Sequence, residues 1–145
     1  MRQWTAQRKH LPRFAENTEV VSFIYQTPDG LCREDKLTEG LNIPADLPQG
    51  TLGWWRWRVT KRPPTQKELN ERLEQLFTSL KESAAPHKHA LVWLVGLYLT
   101  RKKILRQEPG AFVHAKSGER TEVNPEEIDA TKMEAAMQEL MAVIS

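Results

Sequence analysis

The chain has one cysteine, Cys32, and four histidines among its 145 residues. A lone cysteine excludes a disulfide within the chain and leaves no CxxC pair for a zinc site. His87 and His89 stand two positions apart, and residues at that spacing do not face each other on a helix. We therefore predict a protein that holds no metal and no other cofactor.

Long apolar stretches and familiar catalytic motifs are also missing. The longest apolar run, ALVWLVGLYL (90–99), would span about 15 Å as a helix, half of a roughly 30 Å hydrocarbon layer, so it predicts a buried helix with no membrane contact. Residues 1–14 lack the apolar segment of a secretory signal, and we expect a cytoplasmic location. Because GxSxG, HExxH, P-loop and GxGxxG motifs are absent, we do not expect an enzyme.

Three segments of the first 64 residues have the composition of strands. TEVVSFIYQ (18–26) is followed by the turn TPDG and by LCREDKL (31–37), which predicts a hairpin with a fairly polar second strand. LGWWRWRV (52–59) is the third strand, and Pro63-Pro64 prevents its continuation. The sequence thus predicts a three-stranded antiparallel β region.

The remaining 81 residues show mainly helical patterns. Thr65 and Glu68 form a T-x-x-E capping box at the start of an amphipathic helix. A second, central helix is predicted from about 87 to 107, with Leu91, Val95 and Tyr98 on one face. A β-hairpin near 111–123 and a C-terminal helix from Asn124-Pro125 complete one α+β domain over 1–145.

Three of the five tryptophans lie within residues 54–57. Since side chains alternate along a strand, Trp55, Trp57 and Val59 share one face, which we assign to the core. Leu52, Trp54, Arg56 and Arg58 share the other, with Lys61 and Arg62 just beyond. Aromatic and basic residues together suit single-stranded nucleic acid. They also suit a surface on which the arginines stack on Trp54 and need no ligand.

A second basic group is the series Arg101, Lys102, Lys103 and Arg106. Cations here suit the negative end of a helix, and they also suit binding of an anion. Residues 1–118 carry 19 basic and 12 acidic side chains, whereas 119–145 carry 2 and 7. The basic part therefore faces either an acidic partner or the acidic tail of the same chain.

These observations favour a non-catalytic binding or adaptor module that contacts another macromolecule, either a partner protein or a second copy of the chain. The alternative is an RNA- or single-strand-binding protein that uses Trp54, Arg56 and Arg58. Candidate binding residues are Trp54, Arg56, Arg58, Lys61, Arg62, Arg101, Lys102, Lys103 and Arg106.

Four segments, in this order, are VSFIY…DG…CRED, WWRWRVTKRPP, LVGLYLTRKKILR and FVHAKSGERTEVNPEEIDATKMEAAMQELM. In this layout the chain resembles a family of small uncharacterised bacterial proteins. Many members carry cysteine pairs around the first hairpin, as a small zinc ribbon would. Because Cys32 is alone here, the resemblance implies the same fold with a hairpin held by packing in place of metal. It implies no activity.

We predict that the purified protein contains no stoichiometric zinc, because one cysteine and histidines at unsuitable spacing offer no tetrahedral ligand set. Elemental analysis should find well under one zinc per chain, and a chelator should leave the melting temperature unchanged. One tightly bound zinc per chain would contradict this prediction.

Overall fold

A computed structural model describes residues 14–83, 88–123 and 130–144. Within these ranges the chain forms, in order, the strands β1 (Glu19–Thr27), β2 (Gly30–Leu37) and β3 (Thr51–Arg58), the helices α1 (Gln66–Glu82) and α2 (Lys88–Arg101), the strands β4 (Leu105–Glu108), β5 (Ala111–His114) and β6 (Arg120–Glu122), and the helix α3 (Ala130–Ile144). The predicted α+β class, with its N-terminal three-stranded sheet and C-terminal helix, is confirmed. The predicted start of the last helix at Asn124-Pro125 lies outside the described residues.

The N-terminal sheet is antiparallel, in the order β2-β1-β3. One face carries Ile24 and Trp55, both fully buried against the helices. A shift of register after Ile24 leaves Leu52 without a partner on β1. Such a bulge re-aims the side chain. Leu52 consequently lies in the hydrophobic core, and its predicted position on the outer face with Trp54 is wrong.

Helix α1 covers the outer edge of β3 with polar side chains spaced four residues apart. The Gln75 amide accepts a hydrogen bond from the Arg56 backbone N–H and donates one to the Arg56 carbonyl, both at 2.9 Å. Ser79 Oγ accepts from the Trp54 N–H at 2.8 Å, and Ser83 Oγ donates to the Thr51 carbonyl at 3.1 Å. These side chains take the place of a neighbouring strand.

Helix α2 occupies the centre of the core, as its apolar sequence predicts. Leu91 and Val95 are buried and Tyr98 is half-buried. The predicted end of this helix near Gln107 is wrong, because α2 ends at Arg101 and residues 105–108 form strand β4. The turn after α2 is a Schellman motif: the Ile104 N–H bonds to the Leu99 carbonyl and the Lys103 N–H to the Thr100 carbonyl.

Strand β4 changes the predicted C-terminal hairpin into a second three-stranded antiparallel sheet, in the order β4-β5-β6. Phe112 of β5 is fully buried against α1 and α2, with its ring 6.2 Å from that of Phe77. Helix α3 adds Leu140, Val143 and Ile144 to the same core. Among the residues that the structure describes, no helix combines the length and apolar character that spanning a bilayer requires.

We predict that Gly96→Ala destabilises the protein. A β-carbon at this position of α2 would lie 2.7 Å from Cδ2 and Cζ of Phe112 and closer still to Cε2. Overpacking a core costs about 1–3 kcal/mol, which exceeds the gain of up to about 1 kcal/mol from helix propensity. Chemical denaturation should show a lower free energy of unfolding.

A double-mutant cycle provides the control. Phe112→Leu removes the ring atoms nearest Gly96, so Gly96→Ala should cost less in that background than in the wild type. Wild-type stability of the single Gly96→Ala variant would refute the predicted contact.

Candidate functional site

The outer face of β3 holds the predicted stacking residues, and its cations have partners within the chain. The guanidinium carbon of Arg56 lies 5.4 Å from the centre of the half-buried Trp54 ring. Arg58 donates to the Asn17 carbonyl at 2.9 Å and lies 3.8 Å from a carboxylate oxygen of Glu19. The arrangement is that of a surface with internally satisfied charges.

The loop after β3 repeats this pattern. The Lys61 ammonium lies 3.8 Å from a carboxylate oxygen of Glu16. Arg62 donates to Glu68 at 2.5 Å, and Glu68 also accepts from the Thr65 backbone N–H in the predicted capping box. The partners of these cations are therefore acidic residues close in the fold. From the acidic tail, Glu119 pairs with Lys81, and Glu139 accepts a hydrogen bond from the Leu31 N–H.

A hollow of about 500 Å³ opens beside Trp54, under the loop that joins β2 to β3. Its lining is aliphatic and polar, from Pro44, Leu47 and Pro48 of the loop to Ser79 and Glu82 of α1. No lysine or arginine is among the described residues that line it. The cation nearest to Trp54 among the described residues is Arg56, which lies over the ring itself, so the hollow adds no cation that could bind the phosphate of a base stacked there.

The structure contains a buried polar cluster that the sequence analysis did not identify. Arg33 and Asp35 of β2 form an ion pair at 2.8 Å, with their side chains only 4% and 5% exposed. Ser22 Oγ donates to Asp35 at 2.6 Å and accepts from Trp57 Nε1 at 2.7 Å. A charged pair at this depth is stable only when its remaining polar atoms are hydrogen-bonded, as they are here.

Two arginines of this region hold the end of α3. Arg33 donates to the Val143 carbonyl at 2.7 Å, and Arg72 of α1 donates to the Ile144 carbonyl at 2.8 Å. Their guanidinium carbons lie 5.6 and 4.7 Å from the centre of the Trp57 ring. Burial, together with the charge of Arg33, lowers the pKa of Arg72 to about 10, which leaves the side chain charged at neutral pH. Apart from the Nε–H of Arg72, which has no acceptor among the described residues, the polar groups of the cluster bond to one another and to the end of α3, as in a structural cluster.

The alternation of Leu31, Arg33 and Asp35 gave a signal for this cluster. All three lie on one side of β2, and Ser22 stands opposite Asp35 in the hairpin register. Sequence patterning treats arginine and aspartate as solvent-facing residues, so the strand was interpreted as merely polar.

His114 is the described histidine whose side chain contacts a carboxylate, and its geometry does not suit catalysis. Nδ1 accepts from the backbone N–H groups of Lys116 and Ser117, each at 3.2 Å, so Nε2 carries the proton and donates to Glu74 at 3.0 Å. This tautomer is assigned from the hydrogen-bond network. Both ring nitrogens are occupied, and the ring braces the β5–β6 turn against α1.

The turn that follows α2 differs from the rest of the basic surface. Arg101, Lys102 and Lys103 are consecutive and exposed, and none has a carboxylate oxygen within 4 Å among the described residues. We call these three residues the basic turn. Arg106, predicted as part of the same group, lies on β4 and pairs with Glu108 at 3.1 Å.

The basic turn lies beside the first turn of α1. The Lys102 ammonium is 5.5 Å from the centre of the Tyr98 ring, and the Tyr98 hydroxyl is hydrogen-bonded to Gln66 Nε2 at 2.7 Å. The structure thus brings part of the second predicted group near the loop that holds Arg62. Trp54 and Arg56 contact Ser79 and Gln75, further along α1, and do not join it.

We predict that Glu68 makes stability fall in acid. Hydrogen bonds from Arg62 and from Thr65 lower the pKa of Glu68 to about 2, from its usual 4.5. A carboxylate with a lowered native pKa contributes stability that is complete above pH 4.5 and is lost as the pH falls toward 2. Urea denaturation across this range should show a shallower loss for Glu68→Gln than for the wild type.

Glu71→Gln is the matched control, since Glu71 is exposed on the same helix and its carboxylate has no hydrogen bond among the described residues. It should leave the acid dependence unchanged. Identical curves for Glu68→Gln and the wild type would contradict the assigned interaction.

Comparison with known proteins adds no relative to this picture. No family model, curated protein or solved structure matches the chain. The candidate site therefore rests on the geometry of the basic turn and on the contrast with the paired cations around it.

Proposed function

We propose that the protein is a non-catalytic binding module whose basic turn, Arg101–Lys102–Lys103, docks an acidic segment of a partner protein. The observation that carries the proposal is the absence of carboxylate partners for these three cations among the described residues, on a surface where Arg58, Lys61 and Arg62 all have them. An exposed, unpaired group of one sign attracts a complementary partner and steers its approach.

The helix dipole accounts for only part of this group. A cation in the last turn of a helix is stabilised by about 0.3–1 kcal/mol, which is a sufficient reason for Arg101. Lys102 and Lys103 lie after the last residue of α2. Three adjacent cations also repel one another, and an acidic partner relieves that repulsion.

A protein partner is favoured over nucleic acid by the state of the aromatic rings. Binding of single strands relies on bases that stack on aromatic side chains. Arg56 lies over Trp54, and Lys102 lies over Tyr98. With these rings engaged and a net charge of only +2, the part of the chain that the structure describes offers charge without a stacking platform.

The proposal is tested by recovering the tagged protein from its native cells and identifying the material bound to it. We expect one protein to copurify with the wild type and to bind again when both are purified. The triple variant Arg101→Gln, Lys102→Gln, Lys103→Gln should weaken that purified complex about tenfold, from the loss of three exposed charge contacts of about 0.5 kcal/mol each.

Arg106→Gln is the matched control, because Arg106 is a neighbouring exposed cation that already pairs with Glu108. It should leave binding unchanged. Equal affinity of the triple variant and the wild type would refute the proposal. Bound material that nuclease removes would replace it with the nucleic-acid alternative.

A further inference from the structure

Lys103 has a backbone conformation that is unfavourable for lysine. Its φ is +62°, in the left-handed region that side chains with a β-carbon disfavour. Residues described with a positive φ are otherwise Asn17, whose side chain tolerates this region, and five of the seven glycines. Among the described residues, Lys103 is therefore the one with a positive φ that is neither glycine nor asparagine.

The position of Lys103 in the turn makes the choice of residue more unusual. It is the first residue after the α2 cap in the Schellman motif, the place where helices most often use glycine. Glycine there would keep both hydrogen bonds of the motif, because they involve only the backbone. What glycine could not supply is a positive charge.

The side chain of Lys103 makes no contact in the described part of the fold that would account for a lysine at this position. It is exposed, and among the described residues it has no ion pair, side-chain hydrogen bond or aromatic ring contact. Lys102, by contrast, lies over the Tyr98 ring. Arg101 belongs to the last turn of α2, where the negative end of the helix dipole stabilises its charge. Lys103 is thus the least compensated cation of the basic turn.

We infer that Lys103 is the cation that contributes most to binding the acidic partner, and that lysine is kept at this left-handed position for that contact at the expense of stability. The inference rests on the proposed function. Residues in strained backbone conformations concentrate at functional sites, and here the strain and the uncompensated charge coincide in one residue.

Three substitutions separate the charge from the backbone. Lys103→Gln removes the charge and keeps the strained conformation. Lys103→Gly removes both. Lys103→Arg keeps both. The probe is a fluorescein-labelled oligoglutamate peptide, titrated by anisotropy at about 50 mM salt, where screening of surface charges is weak.

We expect Lys103→Gln and Lys103→Gly each to weaken peptide binding about fivefold, against about twofold for Lys102→Gln. Lys103→Gly should also raise the melting temperature by about 3 °C, whereas Lys103→Gln and Lys103→Arg should leave it near that of the wild type. Asn17→Gly is the control for the backbone effect and should change both quantities little.

The outcomes distinguish the inference from the proposed function. Equal losses for Lys103→Gln and Lys102→Gln would overturn the assignment to Lys103 and leave the basic turn as the docking site. A melting temperature unchanged or lowered by Lys103→Gly would overturn the exchange of stability for binding. Failure of the wild type to bind oligoglutamate, or equal binding by the triple variant, would refute both.

Discussion

Five elements of the chain meet at two buried guanidinium groups. Arg33 on β2 and Arg72 on α1 lie around Trp57 of β3, reach Ser22 of β1 through the Asp35 network, and hold the last carbonyls of α3. Helix ends leave carbonyl groups unsatisfied, and the negative end of the dipole favours cations. The same two charges therefore close the N-terminal sheet and fix where α3 docks on it.

The Arg33–Asp35 ion pair can be buried because its charged groups are hydrogen-bonded to each other, to Ser22 and to the Val143 carbonyl. Removing one member would leave an uncompensated charge, which costs about 3–5 kcal/mol, much more than the loss of a surface ion pair. Arg72 is held less completely, since its Nη1 donates to the Ile144 carbonyl but its Nε–H has no acceptor among the described residues. The position of α3 thus depends on two specific hydrogen bonds from buried arginines.

The basic surface follows the opposite rule. Around β3 and the loop after it, the cations pair with nearby acidic residues or stack on an aromatic ring. None of these contacts involves the acidic tail. The three cations of the basic turn have no carboxylate partner in the described part of the chain. Several cations of the described surface are thus paired with nearby acids, whereas the three consecutive cations of the basic turn are not.

Local patterns in the sequence predicted the fold class and most elements, because the strand alternation, the turn residues and the T-x-x-E box are signals within a few residues. The predicted end of α2 was wrong for a physical reason. The terminating residue is Lys103, where glycine would have marked the stop, and Ile104 and Leu105 continue an apolar pattern that a helix also fits. Strand β4 exists because it pairs with β5, which is information that a local pattern does not contain.

The candidate site shows the same division. Composition identified Arg101, Lys102, Lys103 and the residues of β3 as candidates, but it could not tell which cations have acids beside them in space. Glu19 is 39 residues from Arg58 in sequence, and only the strand register brings them together. The Arg33 cluster was missed because buried charge contradicts the hydrophobic rule from which core faces are inferred.

The contacts of Gln75, Ser79 and Ser83 with β3 make α1 a substitute for a fourth strand of the sheet. An uncovered strand edge is a template on which another chain can extend the sheet, and β3 is rich in aromatic side chains that favour such pairing. While α1 is in place, its side chains occupy the backbone groups that a second molecule would use. Any local opening that lifts this helix would expose the backbone groups of β3 as a surface on which another chain could pair and aggregate.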